Sequence, residues 1–441
     1  MQLLVVEQTR PEQMCSTHWF VVSILLCSQC FFIAKAFHSN LFCGHIPLVM
    51  NEVKEVQWRL SKRNDLAVER NEEYTYMKRI IRRLKPRRKT YSQLNPQTIK
   101  INGPFFQGWL LRTIDHKNNT SFIFIVGSFS LSKCSSYNQH YIFCGINNNN
   151  DNYHFESLVD PSQVIITANN NTNNQRLSMS WCADHIGRFD FSDISCSGNF
   201  QIGNLSFQFN ATNHIPWDPS NLNYGPEGWL RKTSLLPCHY DILSVGSLCK
   251  YKICISEGLQ VEGSGYSHIE GNYGDFFPSG WVWSEAIGPN NDASFSLVGG
   301  NFKIGAISPM NFIIYYRTNN LKFVYRSTDL HKFQYSIDGI DGFVSIVATK
   351  RVSLVVRHQL KLTIKAKGNI NDNTTFGPAV YIPTPLGFMN SPGCRETYTG
   401  VAELECYEYT VGNYRNKKLI ASSNFDLTAL EFGGSFINKK I

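Results

Sequence analysis

Residues 311–327 read NFIIYYRTNNLKFVYRS, two runs of β-branched and aromatic residues on either side of the triplet TNN. Such runs, separated by a short turn, predict a β-hairpin. Comparable runs follow one another after residue 101, with asparagine- and glycine-rich turns between them; they are SFIFIVGSFSL, HYIFCGI, QVIITA, NLSFQFN, FVSIVATK, RVSLVVRH and LKLTIKAKG. The sequence therefore predicts an all-β protein whose antiparallel sheets close into barrels or sandwiches.

The composition agrees with this fold class. The chain has 441 residues, of which 13% are aromatic and 17% are charged. Disordered and coiled-coil proteins have fewer aromatic and more charged residues than this. A chain of this length has room for two or three domains, each with its own core.

Residues 19–34, WFVVSILLCSQCFFIA, form an uncharged and mostly apolar segment near the amino terminus. The residues at 34–36, Ala-Lys-Ala, follow as a small-x-small cleavage pattern. A membrane-spanning helix normally needs about 20 apolar residues, so we interpret residues 1–36 as a signal peptide in preference to a membrane anchor. We expect the chain to enter the secretory pathway and then to stay lumenal, be secreted or pass on to a plastid-like organelle.

Residues 51–100 contain 14 Lys and Arg against 6 Asp and Glu, a net charge of +8 that equals the net charge of the whole chain. Met77, Ile80, Ile81 and Leu84 have helical spacing beside basic residues and predict a short basic amphipathic helix. Three interpretations stay open for residues 37–100: a solvated linker, an organelle-targeting extension, or a segment that contacts an anionic membrane surface. The basic residues are not interleaved with aromatics on a folded face, so nucleic acid is not an expected partner.

Residues 261–289, VEGSGYSHIEGNYGDFFPSGWVWSEAIGP, combine aromatic rings, ionisable groups and glycines in a way that is unusual for a core strand. Trp281, Trp283 and Glu285 are two residues apart, which places their side chains on one face of an extended segment. We expect two indoles and a carboxylate to line one wall there.

The run HIEGNYGDFFPSGWVWSEA, residues 268–286, resembles the signature of the tocopherol cyclases and their carotenoid-hydratase relatives, Y-I-E-K-N-W-G-x-x-F-P-x-x-W-x-W. The matching positions are Glu270, Asn272, Gly274, Phe277, Pro278, Trp281 and Trp283. Gly271 and Tyr273 stand where the family usually has lysine and tryptophan.

Three further segments extend this resemblance to both ends of the region after residue 101. GPFFQGWLLRT, residues 103–113, is similar to the opening F-x-E-G-W-Y segment, with Gln107 in place of the acid. Residues 381–409 are similar to the closing segment, and the recurring residues there are Cys394, Glu396, Thr397, Tyr398, Tyr407 and Glu408. Residues 237–240 stand where the family usually reads E-C-Y-H, with Pro237 in place of the acid and the His and Tyr exchanged.

The resemblance implies two tandem lipocalin-like antiparallel β-barrel domains, which we place at residues 101–245 and 246–441. It also implies that a hydrophobic prenylquinol closes to a chromanol ring without a metal or redox cofactor. Protonating the prenyl double bond creates a tertiary carbocation. The site therefore needs a carboxylic acid kept neutral by apolar surroundings, aromatic rings that stabilise the cation, and an apolar tunnel for the isoprenoid tail.

Glu270 is the expected proton donor, because it is the acid within the matched run. His268 or Tyr240 is expected to accept the phenol proton. The expected substrate-binding residues are Trp109, Asn272, Tyr273, Asp275, Trp281, Trp283 and Glu285. For these residues a purely structural role, in packing or in turns, remains the alternative.

Two functions stay open. Retention of Glu270, Asn272 and the two tryptophans favours a tocopherol-cyclase-like enzyme. The simultaneous changes at four family positions favour instead a non-catalytic lipocalin-like protein that binds an isoprenoid lipid; these are Gln107, Pro237, Gly271 and Tyr273. The chain lacks the G-x-S-x-G, H-E-x-x-H and Walker sequences of other enzyme classes, and no metal site is expected.

Nine cysteines follow residue 100. In a chain that enters the secretory pathway, they predict disulfides that span hairpins. The candidate pairs are Cys134 with Cys144 and Cys182 with Cys196.

Overall fold

The structure is a computed structural model that describes residues 105–441, apart from 132–137, 170–177, 218–224, 233–235, 257, 302–308, 369, 372–375 and 438. The expected signal peptide at residues 1–36 and the basic segment at 37–100 lie outside the described residues, as does Cys134. Among the described residues, no helix has the length and apolar character needed to cross a bilayer.

The described chain is built from strands, with three short 3-10 helices at Pro161–Gln163, Gly228–Lys232 and Ser327–Asp329. The strands of the first sheet are β1 Phe105–Asp115, β2 Thr120–Ser130, β3 Asn138–Asn148, β4 Asp151–Val159, β5 Val164–Asn169, β6 Ser178–Ala183, β7 Gly187–Ser192, β8 Ser195–Ile202, β9 Leu205–Thr212, β10 Cys238–Ile255 and β11 Gln260–Gly274. The strands of the second are β12 Gly280–Ile287, β13 Ala293–Asn301, β14 Met310–Thr318, β15 Lys322–Arg326, β16 Lys332–Asp338, β17 Phe343–Arg351, β18 Val356–Lys365, β19 Val380–Thr384, β20 Gly387–Thr410 and β21 Lys418–Gly434.

The two sheets have the same topology, and all their strand pairs are antiparallel. In the first sheet β1 to β4 form a meander, and β1 pairs on its other side with β11. Beyond β11 the neighbouring strands follow in reverse chain order, from β10 to β5. In the second sheet β12 to β15 form the meander, and β12 pairs with β21, which is followed by β20, β18, β17 and β16; β19 lies off this path and pairs with β20. The prediction of two tandem lipocalin-like antiparallel barrel domains is confirmed, since each sheet curls into a barrel-like unit.

Each sheet encloses its own apolar core. Alternating residues of the first sheet, among them Phe124, Trp181 and Ile269, form one buried cluster. Alternating residues of the second, among them Ile346 and Leu404, form another. The alternation follows from the pleat of a strand, whose successive side chains point to opposite faces.

The β14–β15 hairpin forms as predicted from residues 311–327, with Thr318 N–H donating to the carbonyl of Leu321 at 2.8 Å. The strand predicted at RVSLVVRH, residues 351–358, is wrong. The chain reverses there between β17 and β18, and Val352, Leu354 and Val355 lie exposed at the tip of the hairpin. The run has strand-forming residues, but the pairing of its two flanks in one hairpin requires a turn at its centre.

The change from one sheet to the other comes between Gly274 and Gly280, whereas a boundary between residues 245 and 246 was expected. β10 runs through residues 245 and 246 as one strand of 18 residues and pairs with β11 along most of its length. Both strands therefore belong to the first sheet. In consequence the matched run at residues 268–286 contributes one strand to each sheet.

The expected disulfide between Cys182 and Cys196 is wrong, because both cysteines are free. β7 lies between the strands that carry them, so the two side chains belong to non-adjacent strands. Cys144 is also free. The described cysteines are therefore thiols, and the cores of the two sheets hold without cross-links between them.

Candidate active site

The two sheets meet along a third buried cluster, which contains residues from both. The first sheet contributes the apolar side chains of Phe106, Leu110 and Phe143, among others, and the second contributes Trp281, Trp283, Phe388 and Tyr398. These side chains point away from the cores of their own sheets. We call this cluster and the polar groups embedded in it the inter-sheet site.

β11 supplies the central acid of this site. Ile269 points into the core of the first sheet, so its neighbours His268 and Glu270 face the second sheet. β11 pairs with β1 on one side and β10 on the other, which makes it an interior strand of the sheet. At its end, Gly274 lies against Pro237, whose carbonyl oxygen any β-carbon at this position would strike. The strand therefore holds these side chains in fixed positions.

The Glu270 carboxyl group is buried and lies within hydrogen-bond distance of four side chains; its residue is 2% exposed. Its Oε2 atom accepts from the hydroxyl of Tyr240 at 2.6 Å and from the indole N–H of Trp283 at 3.0 Å. The same atom lies 2.9 Å from Nε2 of His268. Among the residues that the structure describes, its Oε1 atom accepts only the amide of Asn272, at 3.3 Å. Four residues expected in the site thus meet at Glu270, three of them at one oxygen.

Tyr240 reaches Glu270 from β10. Its backbone N–H donates to Glu227 at 2.7 Å, and its hydroxyl also lies 3.4 Å from that of Ser296 in the second sheet. Burial, together with the negative charge of Glu270 and the hydrogen bond to it, raises the pKa of Tyr240 well above its ordinary value. The phenol therefore keeps its proton, which makes Tyr240 a hydrogen-bond donor to Glu270.

Trp281 and Trp283 lie on the face of β12 that meets the first sheet, and Val282 between them enters the core of the second. The expectation that the two indoles share one wall with Glu285 is correct. The indole of Trp283 donates to Glu270, and the indole of Trp281 donates to Glu431. The two rings are thereby attached to two different acids.

Glu431 belongs to a second group of buried acids that the sequence analysis did not single out as a site. It lies in β21, directly opposite Glu396 of β20 and directly opposite Trp283 of β12. The hydroxyl of Tyr398 donates to Glu396 at 2.7 Å. The sulfur of Cys394 and one oxygen from each glutamate lie within 4.8 Å of one another. A lone acid in the apolar run TALEFGG was the available signal for Glu431.

Burial raises the pKa of both glutamates. For Glu431 the pKa is raised well above its ordinary value, first by loss of solvent and then by the neighbouring charge of Glu396. For Glu396 the pKa is raised by burial, against the opposing effects of neighbouring Glu431, of the hydrogen bond from Tyr398 and of the positive charge of Arg112. Burial likewise raises the pKa of the Cys394 thiol well above its usual range.

Glu285 does not meet Glu270. It forms a fully buried ion pair with Arg112 of β1, and the guanidinium also donates to the carbonyl of Leu427. The pair bridges the two sheets, because Arg112 and Glu285 come from β1 and β12. Its geometry indicates a structural role in joining them.

Three further expected residues also lie away from the Glu270 carboxyl. Trp109 packs in the core of the first sheet, 6.4 Å from the ring of Phe189. Tyr273 stacks on His239, with 5.0 Å between ring centroids. Asp275 is half-buried in the connection between the sheets, where its backbone N–H donates to the carbonyl of Pro237 at 2.7 Å.

No family model matches the sequence, and no curated protein matches it. Solved structures that align with the chain include CghA, which is 8% identical with a TM-score of 0.47 over 79% of this chain and 96% of its own. A protein designated AttH from Nitrosomonas europaea is 9% identical with a TM-score of 0.45, over 78% and 99%. Kievitone hydratase from Nectria haematococca is 11% identical with a TM-score of 0.38, over 81% and 99%. Identities this low assign no activity.

Proposed function

We propose that the protein is a tocopherol-cyclase-like enzyme that protonates the prenyl double bond of a prenylated benzoquinol and closes the molecule to a chromanol. The observation that carries this proposal is the buried Glu270 carboxyl group, surrounded by Tyr240, His268 and Trp283 within 2.6 to 3.0 Å. All four residues lie in or next to the runs that resemble the cyclase family. Their convergence on one oxygen supports a chemical role beyond packing.

In the proposed reaction Glu270 donates its proton to the less substituted carbon of the double bond, which leaves a tertiary cation on the other carbon. Three donors occupy Oε2, so Oε1, which accepts only the amide of Asn272, is the oxygen that carries the transferable proton. The loss of this proton leaves a carboxylate whose charge is stabilised by the donors on Oε2. Such preorganised donors act strongly in a site that excludes water.

The cation is stabilised by the indoles of Trp281 and Trp283. A cation over the face of a desolvated aromatic ring gains about 2 kcal/mol, and tryptophan is the best ring for this. The hydrogen bonds from these indoles to Glu431 and Glu270 fix both ring planes. Ring orientation is therefore set before the substrate binds.

The phenol oxygen of the substrate then attacks the cation, and its proton passes to His268. With Nε2 donating to Glu270, the lone pair of the imidazole lies on Nδ1, which acts as the base. Transfer of the Nε2 proton to Oε2 regenerates a neutral Glu270 carboxyl group, and exchange of the Nδ1 proton for one on Nε2 through solvent returns His268 to its starting tautomer before the next turnover. One proton enters and one leaves, so the reaction is an isomerisation and consumes no oxidant or reductant.

The test is incubation of the full-length protein with a prenylated benzoquinol and detection of the chromanol by mass-resolved chromatography. We expect product from the natural protein and a loss of about 10²- to 10⁴-fold in turnover for Glu270→Gln, the range typical of a general acid. Binding should survive, seen as quenching of tryptophan fluorescence by the quinol.

The matched control is Glu405→Gln, since Glu405 is a partly exposed acid of β20. A protein that binds the quinol, quenches its tryptophans and returns it unchanged would be the isoprenoid carrier, and the cyclase proposal would be abandoned. Equal turnover in the natural protein and in Glu270→Gln would move the acid to another residue.

A further inference from the structure

The acid pair in the second sheet has an unusual arrangement. Glu396 and Glu431 lie directly opposite each other on β20 and β21, and both are buried, with 3% and 7% of their surfaces exposed. The hydrogen bonds that they receive come from Tyr398 and Trp281. No basic side chain forms an ion pair with either glutamate among the described residues.

One oxygen of this pair is unsatisfied if both groups are ionised. Glu396 Oε1 is fully buried and has no donor among the described residues. Two carboxylates cannot donate to each other, because an ionised carboxyl group only accepts hydrogen bonds. A single proton between the two groups turns this contact into an O–H···O hydrogen bond and provides the missing donor. Like charges so close also disfavour double ionisation in a buried setting.

The pair belongs to the inter-sheet site, since the indole of Trp281 donates to Glu431. Glu431 is also the register partner of Trp283, whose own indole donates to Glu270. The two tryptophans of β12 thus have an acid of the first sheet at one indole N–H and an acid of the second sheet at the other. A ligand lying against these rings would meet both acids.

We propose that Glu396 and Glu431 share one proton and form a second acid of the inter-sheet site, carried by the second sheet as Glu270 is carried by the first. Its catalytic use rests on the proposed function, whereas the shared proton does not. When the pair donates, its O–H bond breaks and a C–H bond forms at the double bond. In such a turnover Glu270 is ionised and is not the acid; together with His268 it takes the proton released by the attacking hydroxyl, and transfer of that same proton to the glutamate pair resets the site.

The shared proton is tested without substrate by infrared difference spectroscopy at neutral pH, between the natural protein and Glu431→Gln. We expect the difference spectra against Glu431→Gln and against Glu396→Gln to show the same carboxylic-acid C=O band of the natural protein, which shifts in D₂O; any band from Glu270 is common to all three proteins and cancels. Each variant replaces one carboxyl group of the pair by an amide, so the O–H···O hydrogen bond between two carboxyl groups, and the band that belongs to it, is lost.

Glu405→Gln is the matched control, because Tyr407 donates to Glu405 at 2.8 Å with the same two-residue spacing on β20 but at a partly exposed position. The band should be unchanged in this variant. Absence of the band in the natural protein, or its persistence in both Gln variants, overturns the shared proton. Near-ultraviolet circular dichroism shows whether each variant is folded. If one variant does not fold, the loss of the band is judged from the other variant alone.

Catalytic use is tested by the pH profile of kcat. We expect kcat of the natural protein to fall as pH rises through the raised pKa of the pair. In Glu431→Gln the fall should move to lower pH and kcat should drop at least tenfold. An unchanged profile and kcat in this variant overturn the acid role. If the natural protein makes no chromanol, the proposed function fails while the infrared result still decides the shared proton.

Discussion

The two faces of the strands at the inter-sheet site differ in the groups they bury. The faces that point into the sheets carry apolar side chains such as Phe124 and Leu404. The faces that meet between the sheets bury ionisable groups as well; these are Arg112, His268, Glu270, Glu285, Glu396 and Glu431. A step of one residue, from Ile269 to Glu270, crosses from one environment to the other. The interiors are thus apolar, whereas the meeting faces hold the ionisable groups on which the proposed function depends.

The largest expected effect concerns the ion pair that joins the two meeting faces. Arg112→Met leaves Glu285 buried and uncompensated, which should cost about 3 to 5 kcal/mol in the free energy of unfolding. The double variant Arg112→Met with Glu285→Leu should recover most of this loss, because no charge then remains unpaired. Urea unfolding measures both. A single variant as stable as the natural protein would show that the pair contributes nothing.

A substitution inside the first sheet should lower stability and leave the chemistry intact. Phe124 is fully buried, and its ring lies 4.6 Å from that of Phe200. Phe124→Ala should lower the free energy of unfolding by about 3 to 5 kcal/mol through lost burial and a cavity. Turnover per folded molecule should not change, as measured at a temperature below the unfolding transition. A selective loss of turnover would contradict the separation of the two faces.

Two tyrosines of β20 give a smaller and closely matched contrast. Tyr398 donates to the buried Glu396 at 2.7 Å, and Tyr407 donates to the partly exposed Glu405 at 2.8 Å. Tyr398→Phe should cost about 1 to 3 kcal/mol, because a buried acceptor loses its donor. Tyr407→Phe should cost about 0.5 kcal/mol or less, since water replaces the donor. Thermal unfolding measures both losses of stability. If the two variants lose equal stability, burial of the acceptor is not the cause of the loss.

The last prediction concerns how the free energy of unfolding changes with pH because of the raised pKa of Glu431. The folded state binds this proton more tightly than the unfolded state, so its stabilising contribution is complete below the ordinary pKa of about 4.5 and is lost as pH rises towards the raised pKa. For one proton the slope is at most about 1.4 kcal/mol per pH unit. Tm should fall less steeply with pH in Glu431→Gln than in the natural protein. Parallel curves would argue that Glu431 is ionised in the folded state.

The local part of the site could be predicted from the sequence. Trp281, Trp283 and Glu285 share a face because they are two residues apart. The grouping of Tyr240, His268 and Glu270 rested on the family resemblance. The partners from distant segments could not be predicted in this way. Arg112 lies 173 residues from Glu285, and Glu431 lies 150 residues from Trp281.

The sequence by itself determined that the chain folds into antiparallel strands and which side chains share a face of each strand. Both follow from local geometry, because the period of the strand is set by the backbone. Only the tertiary structure decided that β10 and β11 belong to the first sheet, that Glu285 pairs with Arg112, and that Glu431 meets Glu396. These contacts depend on which strands become neighbours and how two sheets pack together. Alternation in a sequence specifies the face of a strand but leaves its neighbour undetermined.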